Sequence, residues 1–262
     1  MTVPTPEPVT TRVFLCKSGA PSLPPEERTQ ALNLLGSSEL TRLTQYQGRR
    51  YREFLQTRAL LRQALSLTLP GALPPNQWQI SERPEQAPLV HQAADQGWHY
   101  SLSHSRDRIA IAISNAGPCG IDVEYQRPRA NLMALARQWF HPDETHLLAN
   151  LEEPDRVTAF YRLWTMKEAL IKATDSSVFS GILAETRFHT CAGTERSIDL
   201  KGHCLSLPNE PFSLGLVCAG QPPLEITDGY PLETAERVRP TLTSYAIDPA
   251  PSLAQATSGR SM

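Results

Sequence analysis

The 262-residue chain runs through one order of elements twice, and that repetition constrains the fold more than any single motif. In the first run, Glu39 to Leu69 is Arg- and Leu-rich and free of proline, which predicts a helix with Gly48 as a break. Alternating segments follow within Trp98 to Ser114, of which Arg108-Ile-Ala-Ile-Ala-Ile-Ser114 is the clearest strand. In the second run, Asn131 to Trp139, Pro142 to Leu151 and Asp155 to Ala173 predict helices. Short apolar stretches then suit strands over Glu185 to His189, Cys204 to Leu207 and Phe212 to Val217. Arg12 to Cys16 and Trp78 to Ile80 add two short strands. Helix followed by strands thus occurs on either side of about Gly117, which implies an α+β chain of two similarly sized halves. The 23 prolines crowd into edges and loops, at Pro4 to Pro8, Pro21 to Pro25, Pro70 to Pro75, Pro84 to Pro88 and Pro222 to Pro251. The expected division is a flexible stretch 1–10, an N-terminal subdomain 11–116, a C-terminal subdomain 117–225 with a metal site, and a partly disordered extension 226–262. The small, polar residues beyond about Thr241 predict a poorly ordered tail.

Composition removes several classes. With 40% hydrophobic and 20% charged residues the chain is not wholly disordered. No run approaches the roughly 18 apolar residues of a membrane span. Met1 to Thr10 carries neither the basic start nor the apolar stretch of a secretory signal. The net charge, 25 − 27 = −2, argues against a nucleic-acid coat. Five cysteines (Cys16, Cys119, Cys191, Cys204, Cys218) form no CxxC pair, which suits reduced thiols and a cytoplasmic setting.

Chemistry concentrates in four segments. In Gly120-Ile-Asp-Val-Glu-Tyr125 the strand period puts Asp122 and Glu124 on one face and Ile121, Val123 and Tyr125 on the other. Two carboxylates that close repel unless solvent or a cation screens them, and a hard ion such as Mg²⁺ takes oxygen ligands of this kind. A solvated edge-strand face is the alternative. In the helix from Asp155 to Ala173, Val157, Phe160, Tyr161, Trp164 and Ile171 form an apolar stripe, and Glu168 falls inside it. A carboxylate there needs a partner, either Lys172 at i,i+4 or a metal shared with Asp122 and Glu124. In the first long helix Arg58 and Arg62 fall among apolar residues, and Arg49, Arg50 and Arg52 cluster at its start. Such guanidinium groups bind phosphate or pair internally. His104, in Ser101-Leu-Ser-His-Ser105, is placed beside hydroxyls that suit phosphate oxygens, although a lone histidine is more often structural. No P-loop, dinucleotide fingerprint, zinc spacing or hydrolase elbow occurs.

Together these segments resemble the 4′-phosphopantetheinyl transferases of the surfactin-synthetase type. The family's G-[IV]-D-x-E strand reads Gly120-Ile-Asp-Val-Glu124, and its W-x-x-K-E-A-x-x-K helix reads Trp164-Thr-Met-Lys-Glu-Ala-Leu-Ile-Lys172 after 39 intervening residues. Its N-x-S-H-S segment reads Ser101-Leu-Ser-His-Ser105, with Ser101 in place of the asparagine. Gln86-Ala-Pro88 stands where the family has G-K-P, and Thr174 to Val178 replaces a Gly-x-Gly. The resemblance covers about Thr11 to Gly220. It implies two α/β subdomains related by a pseudo-twofold, an active site in the cleft between them, and a monomer. It also implies Mg²⁺-dependent transfer of phosphopantetheine from coenzyme A to a serine of an apo acyl, peptidyl or aryl carrier protein, releasing adenosine 3′,5′-bisphosphate. Such carriers serve fatty-acid, polyketide and nonribosomal-peptide biosynthesis. On this resemblance Asp122, Glu124 and Glu168 hold the metal, and Glu168, Lys172 and Glu124 act in catalysis. Arg50, Arg52, Arg58, Ser103, His104 and Lys172 hold coenzyme A. No nucleic acid or membrane is an expected partner. The rival is another Mg²⁺-dependent phosphoryl enzyme, a phosphohydrolase or nuclease, working with the same carboxylates.

Overall fold

From its first strand, β1 (Thr11–Lys17), the chain passes through α1 (Pro25–Leu34), α2 (Ser37–Leu43) and the long α3 (Gly48–Thr68). A small hairpin, β2 (Ile80–Ser81) and β3 (Leu89–Val90), and the short α4 (His91–Asp95) lead to β4 (His99–Ser105), β5 (Arg108–Ser114) and β6 (Cys119–Tyr125). Helices α5 (Leu132–Trp139), α6 (Pro142–Ala149), α7 (Asp155–Thr174) and α8 (Ile182–Glu185) come next. Strands β7 (Arg187–Thr190), β8 (Leu200–Ser206), β9 (Phe212–Ala219), β10 (Leu224–Asp228), β11 (Glu236–Arg237) and β12 (Thr241–Asp248) complete the fold. This computed structural model describes residues 9–18, 24–71, 73–83, 87–176, 181–190, 200–207, 210–220, 223–251 and 253.

The architecture is α+β. Among the described residues the strands form two five-stranded sheets, ordered β11-β10-β1-β5-β4 and β6-β9-β8-β12-β7. Alternation along each strand sorts side chains between two cores. Val13 and Leu15 of β1 and Ala110 and Ala112 of β5 meet Ile121, Val123, Leu214 and Leu216 in a core between the sheets. The opposite faces carry Phe14, Ile109, Ile111 and Ile113 against Leu60, Leu61, Ala64 and Leu65 of α3. Strand β5 is therefore buried along its whole length. Its Ile–Ala alternation separates large residues under a helix from small ones where two sheets approach, rather than apolar from polar.

Helix α7 covers the outer face of the second sheet, with Phe160, Met166, Ala169 and Leu170 buried. Two glycines let it come this close. A Cβ on Gly120 would stand 1.9 Å from the Ala169 carbonyl oxygen, and one on Gly215 would stand 2.3 Å from the carbonyl carbon of Thr165. The glycine of the Gly-Ile-Asp strand is thus a contact surface for a helix backbone.

One expectation holds and one changes. The segment Glu39 to Leu69 is broken as expected, into α2 and α3, and Gly48 opens the second with φ +54°, a backbone that a β-carbon would strain. The tail beyond Thr241 is not disordered throughout: β12 is an interior strand of the second sheet, hydrogen-bonded to β8 and β7. Only Ala246 and Ile247 of that strand are buried, so its alternation is too weak to read from sequence.

Gly120→Ala tests the close approach. Overpacking against the α7 backbone is expected to cost about 1–3 kcal/mol, read as a lower midpoint in denaturant unfolding. An unchanged midpoint would mean that α7 rides higher above β6.

Candidate active site

The two sheets meet edge to edge where β4 runs beside β6, and the contact is made by side chains. β6 pairs with β9 on one side only, leaving the N–H groups of Ile121, Val123 and Tyr125 pointing away from the sheet. Three serines of β4 take them. The Oγ atoms of Ser101, Ser103 and Ser105 accept from Ile121 at 3.0 Å, Val123 at 3.3 Å and Tyr125 at 3.2 Å. Two of these hydroxyls also donate to carboxylates: Ser103 to Asp122 Oδ1 at 2.8 Å and Ser105 to Glu124 Oε2 at 2.9 Å. Asp122 and Glu124 therefore share the face that α7 covers, and that face is an interior seam rather than a solvated edge.

α7 brings Glu168 and Lys172 to the same seam. Lys172 does not fold back onto Glu168. Its Nζ donates to Asp122 Oδ1 at 2.9 Å, to the Ile121 carbonyl at 3.0 Å and to the Leu102 carbonyl at 3.4 Å. Glu168 is half-buried beside them. Burial, and then the charge of Asp122, push the carboxyls of both Glu168 and Glu124 above the usual range. Like charges gathered in a poorly solvated seam favour a counter-cation. Asp122 Oδ2 is buried with no hydrogen-bond partner among the described residues, and a carboxylate oxygen of that kind fits a hard, oxygen-seeking ion. The expected three-carboxylate cage is not preassembled, however. Among the described residues no group of three His, Cys, Asp or Glu side chains is poised to hold a metal. The donor set suits a hydrated divalent ion held by one or two carboxylates better than a closed cage.

A cavity of about 520 Å³ opens on the other face of β4. Arg49, Arg50, Arg58, His104, Leu102, Tyr46, Phe54, Thr57 and Glu53 line it. Arg50 and His104 line this space, while Arg52 does not. Arg58 lines the wall, but its guanidinium is forked onto Glu82 at 2.9 and 3.0 Å. Arg62 pairs wholly inside the protein, with Glu39 and the carbonyls of Pro75 and Trp78. Ser103 does not share the cavity with its neighbour His104, because strand alternation turns its hydroxyl to Asp122 instead. Partial desolvation pushes the His104 imidazole below its usual range, against an upward pull from Glu53.

The family model of the 4′-phosphopantetheinyl transferase superfamily matches residues 118–211, the stretch that contributes Asp122, Glu124, Glu168 and Lys172. The 4′-phosphopantetheinyl transferase AcpT of Escherichia coli K12 is 36% identical over 145 residues, which cover 55% of this chain and 68% of that one. The chain belongs to the 4′-phosphopantetheinyl transferase superfamily. The transferase HetI of Nostoc sp. is 34% identical over 157 residues, covering 59% of this chain and 65% of its own. A Synechocystis sp. protein named as a candidate member of the same enzyme class is 32% identical over 173 residues, covering 65% and 67%. Membership makes this chain an enzyme that transfers phosphopantetheine.

Within this transferase the helix motif divides in two. Trp164 packs on Phe160 and Phe140 with ring centroids 5.8 and 6.2 Å apart. Lys167 points away from the seam, its Nζ 2.8 Å from Glu144 and bonded to the carbonyls of Leu183 and Thr186. Those two residues hold the helix, and Glu168 and Lys172 use it. Sequence analysis gave no role to Glu144, Lys167 or Ser105: Lys167 and Ser105 stand within the motifs of the resemblance, and Ser105 also continues the i,i+2 spacing of Ser101 and Ser103, whereas nothing local marks Glu144.

The two lysines should separate accordingly. Lys167→Met leaves Glu144 buried and uncompensated and is expected to cost about 3–5 kcal/mol in chemical denaturation. Lys172→Met should lower transfer sharply with a much smaller change in the unfolding midpoint. The reverse ranking would place Lys167, not Lys172, at the reaction centre.

Proposed function

We propose that this transferase is of the surfactin-synthetase type, moves 4′-phosphopantetheine from coenzyme A to a serine hydroxyl of an apo carrier protein with Mg²⁺, and releases adenosine 3′,5′-bisphosphate. One juxtaposition carries the reading. The arginine- and histidine-lined cavity and the carboxylate seam lie on opposite faces of one strand, β4, and Lys172 reaches Asp122 and the carbonyl of Leu102, a residue of the cavity wall. A nucleotide whose phosphates rest against Arg49, Arg50 and His104 would thus extend its pyrophosphate toward the carboxylates. The chain's similarity is to transferases, so a phosphohydrolase or nuclease is not favoured.

Roles follow from placement. Asp122 and Glu124, fixed to β6, would hold Mg²⁺, which supplies charge neutralisation at the pyrophosphate, and Glu168 would complete its surroundings. Lys172 is placed to neutralise the negative charge that grows on the departing phosphate, an electrostatic contribution that needs no further movement of the chain. The carrier serine must lose its proton. Glu168 is the better base: it makes no hydrogen bond among the described residues, whereas Glu124 is tied to Ser105. Glu168→Gln should therefore abolish transfer while sparing the fold.

The decisive measurement is a mass increase of an apo carrier incubated with coenzyme A, Mg²⁺ and the enzyme. A panel of acyl, peptidyl and aryl carriers that all stay unmodified would remove the proposal. The phosphate subsite has its own pH signature. His104 binds a 3′-phosphate best when protonated, and its free imidazole sits below the usual range. Binding must take up a proton above that range, so the preference for coenzyme A over dephospho-coenzyme A should grow as pH falls from about 8 to about 6.5. His104→Ala should flatten that trend. A wild-type preference that does not vary with pH would exclude His104 from the subsite.

A further inference from the structure

The serines of β4 do more than close a sheet edge, because they also decide which oxygen each carboxylate has left. Asp122 Oδ1 receives two donors, the Ser103 hydroxyl at 2.8 Å and Lys172 Nζ at 2.9 Å, while Oδ2 is buried and receives none among the described residues. Glu124 Oε2 receives the Ser105 hydroxyl at 2.9 Å, and Oε1 makes no hydrogen bond among the described residues. Each hydroxyl is itself held in place, since it accepts from the N–H of the residue that follows the carboxylate it serves. A serine hydroxyl has one proton to give. With its acceptor side anchored to β6, that proton has one direction left, toward the carboxylate.

We infer that Ser105, together with Ser103, is a positioning residue of the transferase: it pins one oxygen of Glu124, as Ser103 pins one of Asp122, so that the other oxygen of each faces a divalent cation. This rests on the proposed Mg²⁺-dependent function. It also gives the Ser-x-Ser-x-Ser spacing of β4 a reason, for the three serines stand opposite Ile121, Val123 and Tyr125 and so address the two acidic residues between them. Groups that orient a metal-binding side chain in this way contribute about 10- to 100-fold to metal affinity.

Ser101 supplies the control. Its hydroxyl takes the Ile121 N–H at 3.0 Å but bonds no carboxylate among the described residues. Ser101→Ala removes a seam hydrogen bond and nothing else, whereas Ser105→Ala removes a seam hydrogen bond and the Glu124 anchor. The experiment is a Mg²⁺ titration of each full-length variant without coenzyme A, followed by calorimetry and by the rise in melting temperature. A parallel assay measures the Mg²⁺ dependence of transfer. Ser105→Ala is expected to weaken Mg²⁺ binding at least about 10-fold, Ser101→Ala to leave it within about twofold of wild type, and Ser105→Thr, which keeps the hydroxyl, to restore it. If Ser105→Ala does not fold, Ser105→Cys keeps the volume with a poor donor and should show the same loss. Equal Mg²⁺ affinity in wild type and Ser105→Ala, or equal losses in Ser101→Ala and Ser105→Ala, would overturn the inference. Failure of the underlying function looks different: the wild type would then neither bind Mg²⁺ nor modify a carrier.

Discussion

Everything at the seam depends on how closely α7 lies against β6 and β9. A helix normally rests on a sheet through its side chains, but at Gly120 and Gly215 the α7 backbone sits where a Cβ would be. That sets the depth of Glu168 and Lys172 relative to Asp122. The lysine can then span the gap from the helix to two backbone carbonyls and a carboxylate. With α7 a few ångströms higher, Lys172 would lose those acceptors and Asp122 would keep only the Ser103 hydroxyl. The anchors that hold the helix are correspondingly strong. Lys167 and Glu144 form a buried pair at one flank, and the rings of Trp164, Phe160 and Phe140 stack at another.

The seam itself solves an edge problem. A strand with unpaired N–H groups invites another strand, and β6 meets this by accepting serine side chains in place of a backbone. The exchange also makes serine side chains of β4 the positioning frame for the acids of β6, while the arginine-lined cavity opens on the other face of β4.

How much of this could be read from residues alone follows from which signals are local. The shared face of Asp122 and Glu124 is a two-residue periodicity, and the structure has it. The placement of Glu168 on the side of α7 that faces the seam is a helical periodicity and was equally legible. The fate of each arginine was not, because Glu39 and Glu82, which take Arg62 and Arg58, come from elements joined only by the tertiary fold. Ser103 shows the same limit. Adjacent to His104 in sequence, it suits the same phosphate, yet alternation along β4 sends the two side chains to opposite faces. The tail misled for another reason, since β12 buries just two side chains and carries almost no pattern.

The order in which the sheets are filled has a consequence for how the chain comes to be folded. The parallel partner of β1 is β10, paired from Thr11 with Leu224 to Leu15 with Asp228; β11 extends that sheet, and β12 then returns to the other. Neither sheet is complete until nearly the whole chain is available. During synthesis the first half must therefore wait, with one side of β1 unpaired, until residue 228 has left the ribosome. Contacts of such long sequence separation are closed late and slowly. The two halves, alike as layers of helix and sheet, are consequently one folding unit rather than two modules in tandem, and a nascent chain of this enzyme has the longest exposure to strand-edge mispairing at its very first strand.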